Sequence, residues 1–187
     1  MSKKIECPSL KPWELLASRI EKQYKHLKLR LDQARSPRTG AVHDFFVLEV
    51  GSWVNIIPIT PDNKILLIRQ YRHGIRSMTL EIPGGIVEAD DSPEEAAVRE
   101  LREETGYKAG EIVSLGWVHP IPAIHNNRCF TFLAKNVVPD GLQKQDECED
   151  IEVVLYPVSA IKELIASGKI SHALVIAAFQ RYFLRQQ

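Results

Sequence analysis

The chain has little cysteine: Cys7, Cys129 and Cys148 are all there is in 187 residues, and no pair shows CxxC spacing. An odd count without that spacing suggests neither a disulfide scaffold nor a zinc site, and it reads as a reduced, cytoplasmic protein. Excess charge is also missing. Lys plus Arg and Asp plus Glu are 24 each, for a formal net charge of zero. That balance argues against bulk binding to nucleic acid or an anionic membrane. Long hydrophobic runs are absent as well. No stretch reaches the ~20 apolar residues of a membrane span. The opening MSKKIECPSLKPWELL has no signal-peptide core. There is no internal repeat and no low-complexity tract. The length suits one domain with a real core.

The most informative stretch runs from Gly84 to Tyr107, GGIVEADDSPEEAAVRELREETGY. Ser92 reads as a helix N-cap, Pro93 suits the first helical position, and Glu95 completes a capping box. The helix is expected to run to about Thr105, with Gly106 as its left-handed stop. At about 100° per residue, Glu100, Glu103 and Glu104 fall within one arc. Ala96 and Ala97 flank that arc, and Val98 and Leu101 lie to the side, where they can pack inward. Such acids repel one another, so a cation is expected to offset them. Oxygen-only ligands suit Mg²⁺ or Mn²⁺, ions that bring waters and a phosphate substrate. The Gly84-Gly85 loop lets bare backbone come close. Taken as Glu-Glu alone, these acids read first as a solvated helix face.

The flanking chain reads as mixed α and β. Residues 1–24 suggest an extended arm with a short helical turn. Leu27–Asp32 alternates like a strand, Ser36–Gly40 is a turn, and His43–Val50 is its hairpin partner. Strands are expected at Trp53–Thr60, Ile65–Gln70, Leu80–Pro83, Glu111–His119, Arg128–Ala134 and Glu152–Tyr156. Helices are expected at Ser159–Ser167 and from His172 to about Arg185, the latter with Leu174, Val175, Ala178 and Phe179 facing the core. Strands around one central helix, closed by C-terminal helices, give an α/β/α sandwich.

The string from Gly85 through Asp91 to Arg99-Glu100-Leu101-Arg102-Glu103-Glu104-Thr105-Gly106-Tyr107 closely resembles the Nudix box, GX5EX7REUXEEXGU. Asp91 stands where the pattern has Glu, and Tyr107 where it has an aliphatic residue. Arg69-Gln70-Tyr71-Arg72 and Leu80-Glu81-Ile82-Pro83-Gly84-Gly85 resemble ADP-ribose and nucleotide-sugar pyrophosphatases. So do the prolines of His119–Ile124 and the acidic Asp146–Glu152 loop. The resemblance spans about residues 42 to 182.

It implies an α/β Nudix sandwich with a mixed sheet at 51–187, preceded by an arm and hairpin at 1–50 that exchanges between subunits of a homodimer. It also implies metal-dependent hydrolysis of a nucleoside diphosphate sugar to a nucleoside monophosphate and a sugar phosphate. Gly84, Glu100, Glu104 and Glu149 are then expected as metal ligands, with Glu103 in the cluster. Arg99 would tie the acids in place, and Glu147 is the candidate general base. Arg72, Glu81, Trp53 and Arg69 are the expected substrate contacts, Arg72 because its planar fork suits phosphate. Trp53 and Trp13 read either as base-stacking platforms or as core and dimer contacts, whereas His119 and His125, near the double-proline loop, read first as structural and second as substrate contacts. Cys148, between two acids, is a poor nucleophile. Two other readings stand beside this one. One is a Nudix-fold sensor that binds without turnover; the other is a hydrolase of RNA 5′ ends or damaged nucleotides.

Overall fold

The structure, a computed structural model, describes residues 10–145 and 149–186. The chain divides into two compact units, one of residues up to Val50 with Ile121–Asn126, the other of Gly51–Pro120 and the rest from Asn127.

In the first unit three antiparallel strands, β1 (Glu14–Gln23), β2 (Leu27–Arg35) and β3 (Val42–Val50), pair in chain order. The hairpin of β2 and β3 lies where alternation places it, with Leu31 buried, and Ala34, on the other face of the strand, is buried as well. β1 replaces the expected helical turn. Its apolar Leu15, Leu16 and Ile20 do not alternate, and its pairing with β2 slips twice, between Leu15 and Ala17 and between Ile20 and Lys22. A strand with such irregularities loses the period-two pattern by which strands are recognised. Segment 121–126 attaches to β3 through the Leu48 N–H, which donates to the Ile124 carbonyl at 2.7 Å.

The second unit is an α/β sandwich. Its mixed sheet runs β11 (Glu152–Pro157), β5 (Lys64–Arg72), β4 (Trp53–Ile59), β9 (Cys129–Lys135), β8 (Glu111–Val118), with β6 (Ser77–Glu81) also on β5. β4 and β9 are parallel and the other pairs antiparallel. A two-residue ribbon, β7 (Tyr107–Lys108) with β10 (Val138–Pro139), follows the central helix. On one face α1 (Pro93–Thr105) buries Ala96, Ala97 and Leu101 against Val54, Ile56, Leu66 and Phe132. On the other, α2 (Ile161–Ala166) and α3 (Ala173–Leu184) cover Ile57, Ile65, Leu67 and Leu133. Val175, Ala178 and Phe179 are buried as their spacing requires. The helix expected at Ser159–Ser167 begins instead as a 3-10 turn, Val158–Ala160. Among the described residues, no helix is long and apolar enough to cross a membrane.

One break in the sheet positions the site. β4 and β5 pair only at Ile59 and Ile65, beside their tight turn, and then splay apart. The segment after β6 fills the gap. Val54 N–H donates to the Gly85 carbonyl and Ile56 N–H to the Pro83 carbonyl, both at 2.9 Å. The glycine pair is thereby stitched to the sheet directly under α1. The helix itself is pinned at its start, because Ser92 and Glu95 form a complete capping box and Gly106 closes the other end at φ 72°. Ser92→Ala should therefore lower stability by about 1 kcal/mol, read as a reduced urea midpoint at constant slope.

Candidate active site

Glu100 and Glu104 lie on the buried side of α1, at 9% and 3% exposure, next to Ala96, Ala97 and Leu101. Small alanines let the helix sit close to the sheet, and the acids one and two turns further on are carried in with it. Val98, expected inward, is 40% exposed, because it lies on the arc turned away from the sheet. Glu104 accepts the Gly84 N–H at 2.9 Å. Glu100 lies against Gly85 so closely that a Cβ there would strike its carboxylate. A Cβ on Gly84 would meet the Val54 carbonyl and, at 2.9 Å, Asn55 Oδ1. Only bare backbone fits at either position.

The electrostatics are unbalanced. Burial, with the charges of Glu103 and Glu149, pushes Glu100 up to about 7 against the pull of Arg99. Burial, then Glu100 and Glu149, pushes Glu104 up to about 9 despite the Gly84 amide. Among the described residues, Arg99 is the one cation bonded to these acids. Its Nη1 donates to Glu100 at 2.9 Å and Glu103 at 3.0 Å, its Nε to Asp91 at 3.1 Å, and its Nη2 to the Ile86 carbonyl at 3.2 Å. Partial burial opposes its charge, but these acids hold its pKa above the usual arginine value. Asp91, one methylene shorter than the Glu of the box, still reaches Arg99.

Arg72 and Glu81 form a second constellation across β5 and β6. Arg72 Nε and Nη2 donate to the two Glu81 oxygens at 2.8 and 2.7 Å, and Thr79 Oγ1 donates to Glu81 at 2.6 Å. Glu81 is 2% exposed. Burial works against its charge, yet the Arg72 and Thr79 hydrogen bonds keep its pKa below the usual carboxylate value. The fork uses one edge of the guanidinium and leaves the Nη1 edge unspent on Glu81. The sequence pointed to both residues as substrate contacts; the geometry gives Glu81 to Arg72 as its orienting partner. Arg69, three residues earlier, falls on the opposite face of β5 and pairs with Glu152 at 3.1 Å. It does not join the constellation. Trp53 lines the same cleft as Arg72, Glu81 and Gly84, a hollow of about 590 Å³.

The model of the NUDIX domain matches residues 52–179. The chain belongs to the Nudix family. It is similar to an ADP-ribose pyrophosphatase of Bacillus subtilis (strain 168), 29% identical over 163 residues that cover 87% of this chain and 88% of that one. It is also similar to a methanol dehydrogenase activator of Bacillus methanolicus, 27% identical over 192 residues, covering 100% and 97%. A crystal structure of an ADP compounds hydrolase superposes with a TM-score of 0.82 over 96% of each chain; at 23% identity that likeness shows the fold.

Within this Nudix unit, Gly84 and the box residues Arg99, Glu100, Glu103 and Glu104 converge, and Glu149 is near enough to act on Glu100 and Glu104. Glu147 lies outside the described residues, as do Cys7 and Cys148. Cys129 is buried and free, and burial pushes its thiol up to about 12. His119 places Nδ1 3.2 Å from the Asn127 carbonyl.

Some positioning groups escaped the sequence. Gln145 donates to the Ile151 carbonyl at 2.8 Å and accepts the Ile151 N–H at 3.1 Å. Gln143 links the Glu104 and Ile151 carbonyls. Together they tie the chain on both sides of the acidic loop to the end of α1. No pattern marks a glutamine that bonds backbone six residues away.

The two glycines give contrasting expectations. Gly84→Ala would press on backbone and should unfold or strongly destabilise the chain. Gly85→Ala presses on a side chain, so the protein should fold while Glu100 is displaced and activity falls about 10²-fold. Circular dichroism with initial rates separates the two.

Proposed function

We propose that this Nudix protein hydrolyses the pyrophosphate bond of ADP-ribose or a related nucleoside diphosphate sugar, releasing a nucleoside monophosphate and a sugar phosphate. The observation that carries it is the pair of buried carboxylates, Glu100 and Glu104, packed on bare Gly84-Gly85 backbone with too little positive charge around them. The similar B. subtilis protein is named for ADP-ribose pyrophosphatase activity, which agrees with this substrate class.

The donor set fits Mg²⁺ or Mn²⁺: hard oxygens from Glu100, Glu104 and Glu149, and the Gly84 carbonyl. Among the described residues, no three acidic, histidine or cysteine groups form a ready-made cage. Such ions would supply a water of lowered pKa and neutralise phosphate charge. The protein's own groups do the rest. Arg99 holds Asp91, Glu100 and Glu103 in one arrangement. Glu81 and Thr79 fix Arg72 so that its open edge meets a phosphate oxygen with no rotamer left to lose. Trp53 offers an apolar face to the substrate, and Glu147 is the proposed proton acceptor. Intact box acids favour turnover over a silent sensor.

Unit 1 exposes Trp13, Leu15, Phe45 and Phe46, in support of a homodimer built through this arm. A free, buried Cys129 supports a reducing, cytoplasmic setting. Incubation with Mg²⁺ and ADP-ribose should release AMP and ribose 5-phosphate, with UDP- and GDP-sugars as competitors to rank base and sugar. Inertness across that panel would overturn the proposal.

A further inference from the structure

The last carbonyls of a helix have no partner within it. At the end of α1 a strap of chain supplies those partners. The Lys144 N–H donates to the Glu103 carbonyl at 2.9 Å and the Asp140 N–H to the Gly106 carbonyl at 2.7 Å. The Gln143 side chain donates to the Glu104 carbonyl. The fit is close, because a Cβ on Gly106 would strike the Gly141 carbonyl. Residues 140–144 are thus indexed to the turn that carries Glu103 and Glu104.

The strap ends in a clasp. Gln145 accepts the Ile151 N–H at Oε1, 3.1 Å away, and donates from Nε2 to the Ile151 carbonyl at 2.8 Å, as a paired strand residue would. The Gln143 Nε2 that serves Glu104 also reaches this Ile151 carbonyl, at 3.3 Å. Ile151 is itself held: it is 5% exposed and directly precedes β11, whose Glu152 pairs with Arg69 of β5. Glu149 lies two residues before Ile151, so the backbone can carry it no more than about 7 Å from that point. Its charge reaches Glu100, Glu104 and Arg72. An acid on an untied loop samples many positions, and gathering it onto an ion opposes binding. We propose that Gln145, with Gln143, is a positioning residue: the clasp holds Glu149 in register with Glu100 and Glu104 and so raises the affinity of these acids for a divalent ion. The glutamines act through Glu149 and do not touch the ion. The inference rests on the pyrophosphatase reading only in taking Glu100, Glu104 and Glu149 as metal ligands.

Calorimetric titration of Mn²⁺ into the metal-free, full-length protein tests it. Gln145→Leu removes both bonds to Ile151 and should weaken Mn²⁺ binding about tenfold, as loss of a group that orients a metal ligand does. Glu149→Gln alone should also weaken binding. In the Glu149→Gln background, Gln145→Leu should cause no further loss, because the acid it orients is already gone. Glutamines that merely brace a surface loop predict the same loss in both backgrounds. Should Gln145→Leu fail to fold, Gln143→Leu cuts the bonds to Glu104 and Ile151 and is read against Glu149→Gln in the same way.

Wild-type affinity in the glutamine variant, an equal loss in both backgrounds, or no Mn²⁺ binding by wild type would each overturn the clasp. Hydrolysis of ADP-ribose alongside unaltered Mn²⁺ binding in the variant would overturn the clasp alone. A loss confined to the background with Glu149 intact, in a protein that hydrolyses no nucleoside diphosphate sugar, would leave the clasp standing and remove the pyrophosphatase reading.

Discussion

Glu104→Gln should lower kcat by roughly 10³-fold, about 4 kcal/mol of transition-state stabilisation. Glutamine keeps the shape and can still accept the Gly84 N–H, so the helix and glycine loop are expected to stay in register. What disappears is the negative charge at a site 3% exposed. Without metal, burial pushes this carboxyl up to about 9, so it is a burden on the fold, holding at neutral pH a proton that it would give up in water. The metal-free variant should therefore melt at or above the wild-type temperature while losing turnover. Loss of activity with gain of stability is the signature of a group kept for chemistry. Glu103→Gln should do much less, because Glu103 has a 40% exposed side chain and pairs with Arg99. Initial rates at saturating substrate, together with thermal melts in chelator, check both. Unchanged turnover in Glu104→Gln would remove Glu104 from the reaction.

The second large effect belongs to Arg72. Arg72→Ala should raise KM and lower kcat together, for a combined loss of about 10²–10³-fold in kcat/KM, by removing the proposed phosphate contact, an arginine held in place before substrate arrives. It should also destabilise the fold, because it strands Glu81, a carboxylate with 3% side-chain exposure. Removing one partner of a fully buried pair costs about 3–5 kcal/mol. Here about 2 kcal/mol is expected, since the Arg72 side chain is itself 43% exposed and screened by water. The double variant Arg72→Met/Glu81→Leu separates the two roles. Stability should return toward wild type while kcat/KM stays low. If activity returned with stability, Arg72 would matter only as Glu81's counter-ion.

The stability of the Glu81–Arg72 fork has a defined pH sense. Glu81 is held below its ordinary pKa in the folded chain, so its stabilising effect is present above the unfolded carboxylate pKa and is lost as pH falls through the folded value.

Local rules carried much of the fold. The capping box at Ser92 and Glu95, the glycine stop at Gly106 and the β2–β3 hairpin are encoded within a few residues of themselves. The convergence of Glu100 and Glu104 followed from helical spacing alone. What the spacing did not reveal is the side of the helix they share with the core, since Ala96 and Ala97 are silent about direction. Arg72 was legible as a phosphate-binding type, but its fork with Glu81 depends on the register of β5 against β6, a long-range property. The same holds for Arg69, which strand parity turns away from the cleft. β1 was hidden by its two register slips.

One measurement bears most directly on the claim that buried acids under α1 make a diphosphate bridge breakable. Crystals of the protein soaked with Mn²⁺ and ADP-ribose, with data collected at the manganese edge, should show anomalous peaks within coordination distance of Glu100 and Glu104 and against the Gly84 carbonyl. The same peaks should be missing from Glu104→Gln. Substrate density in the cleft of an active enzyme, with no manganese signal at these carboxylates, would contradict it.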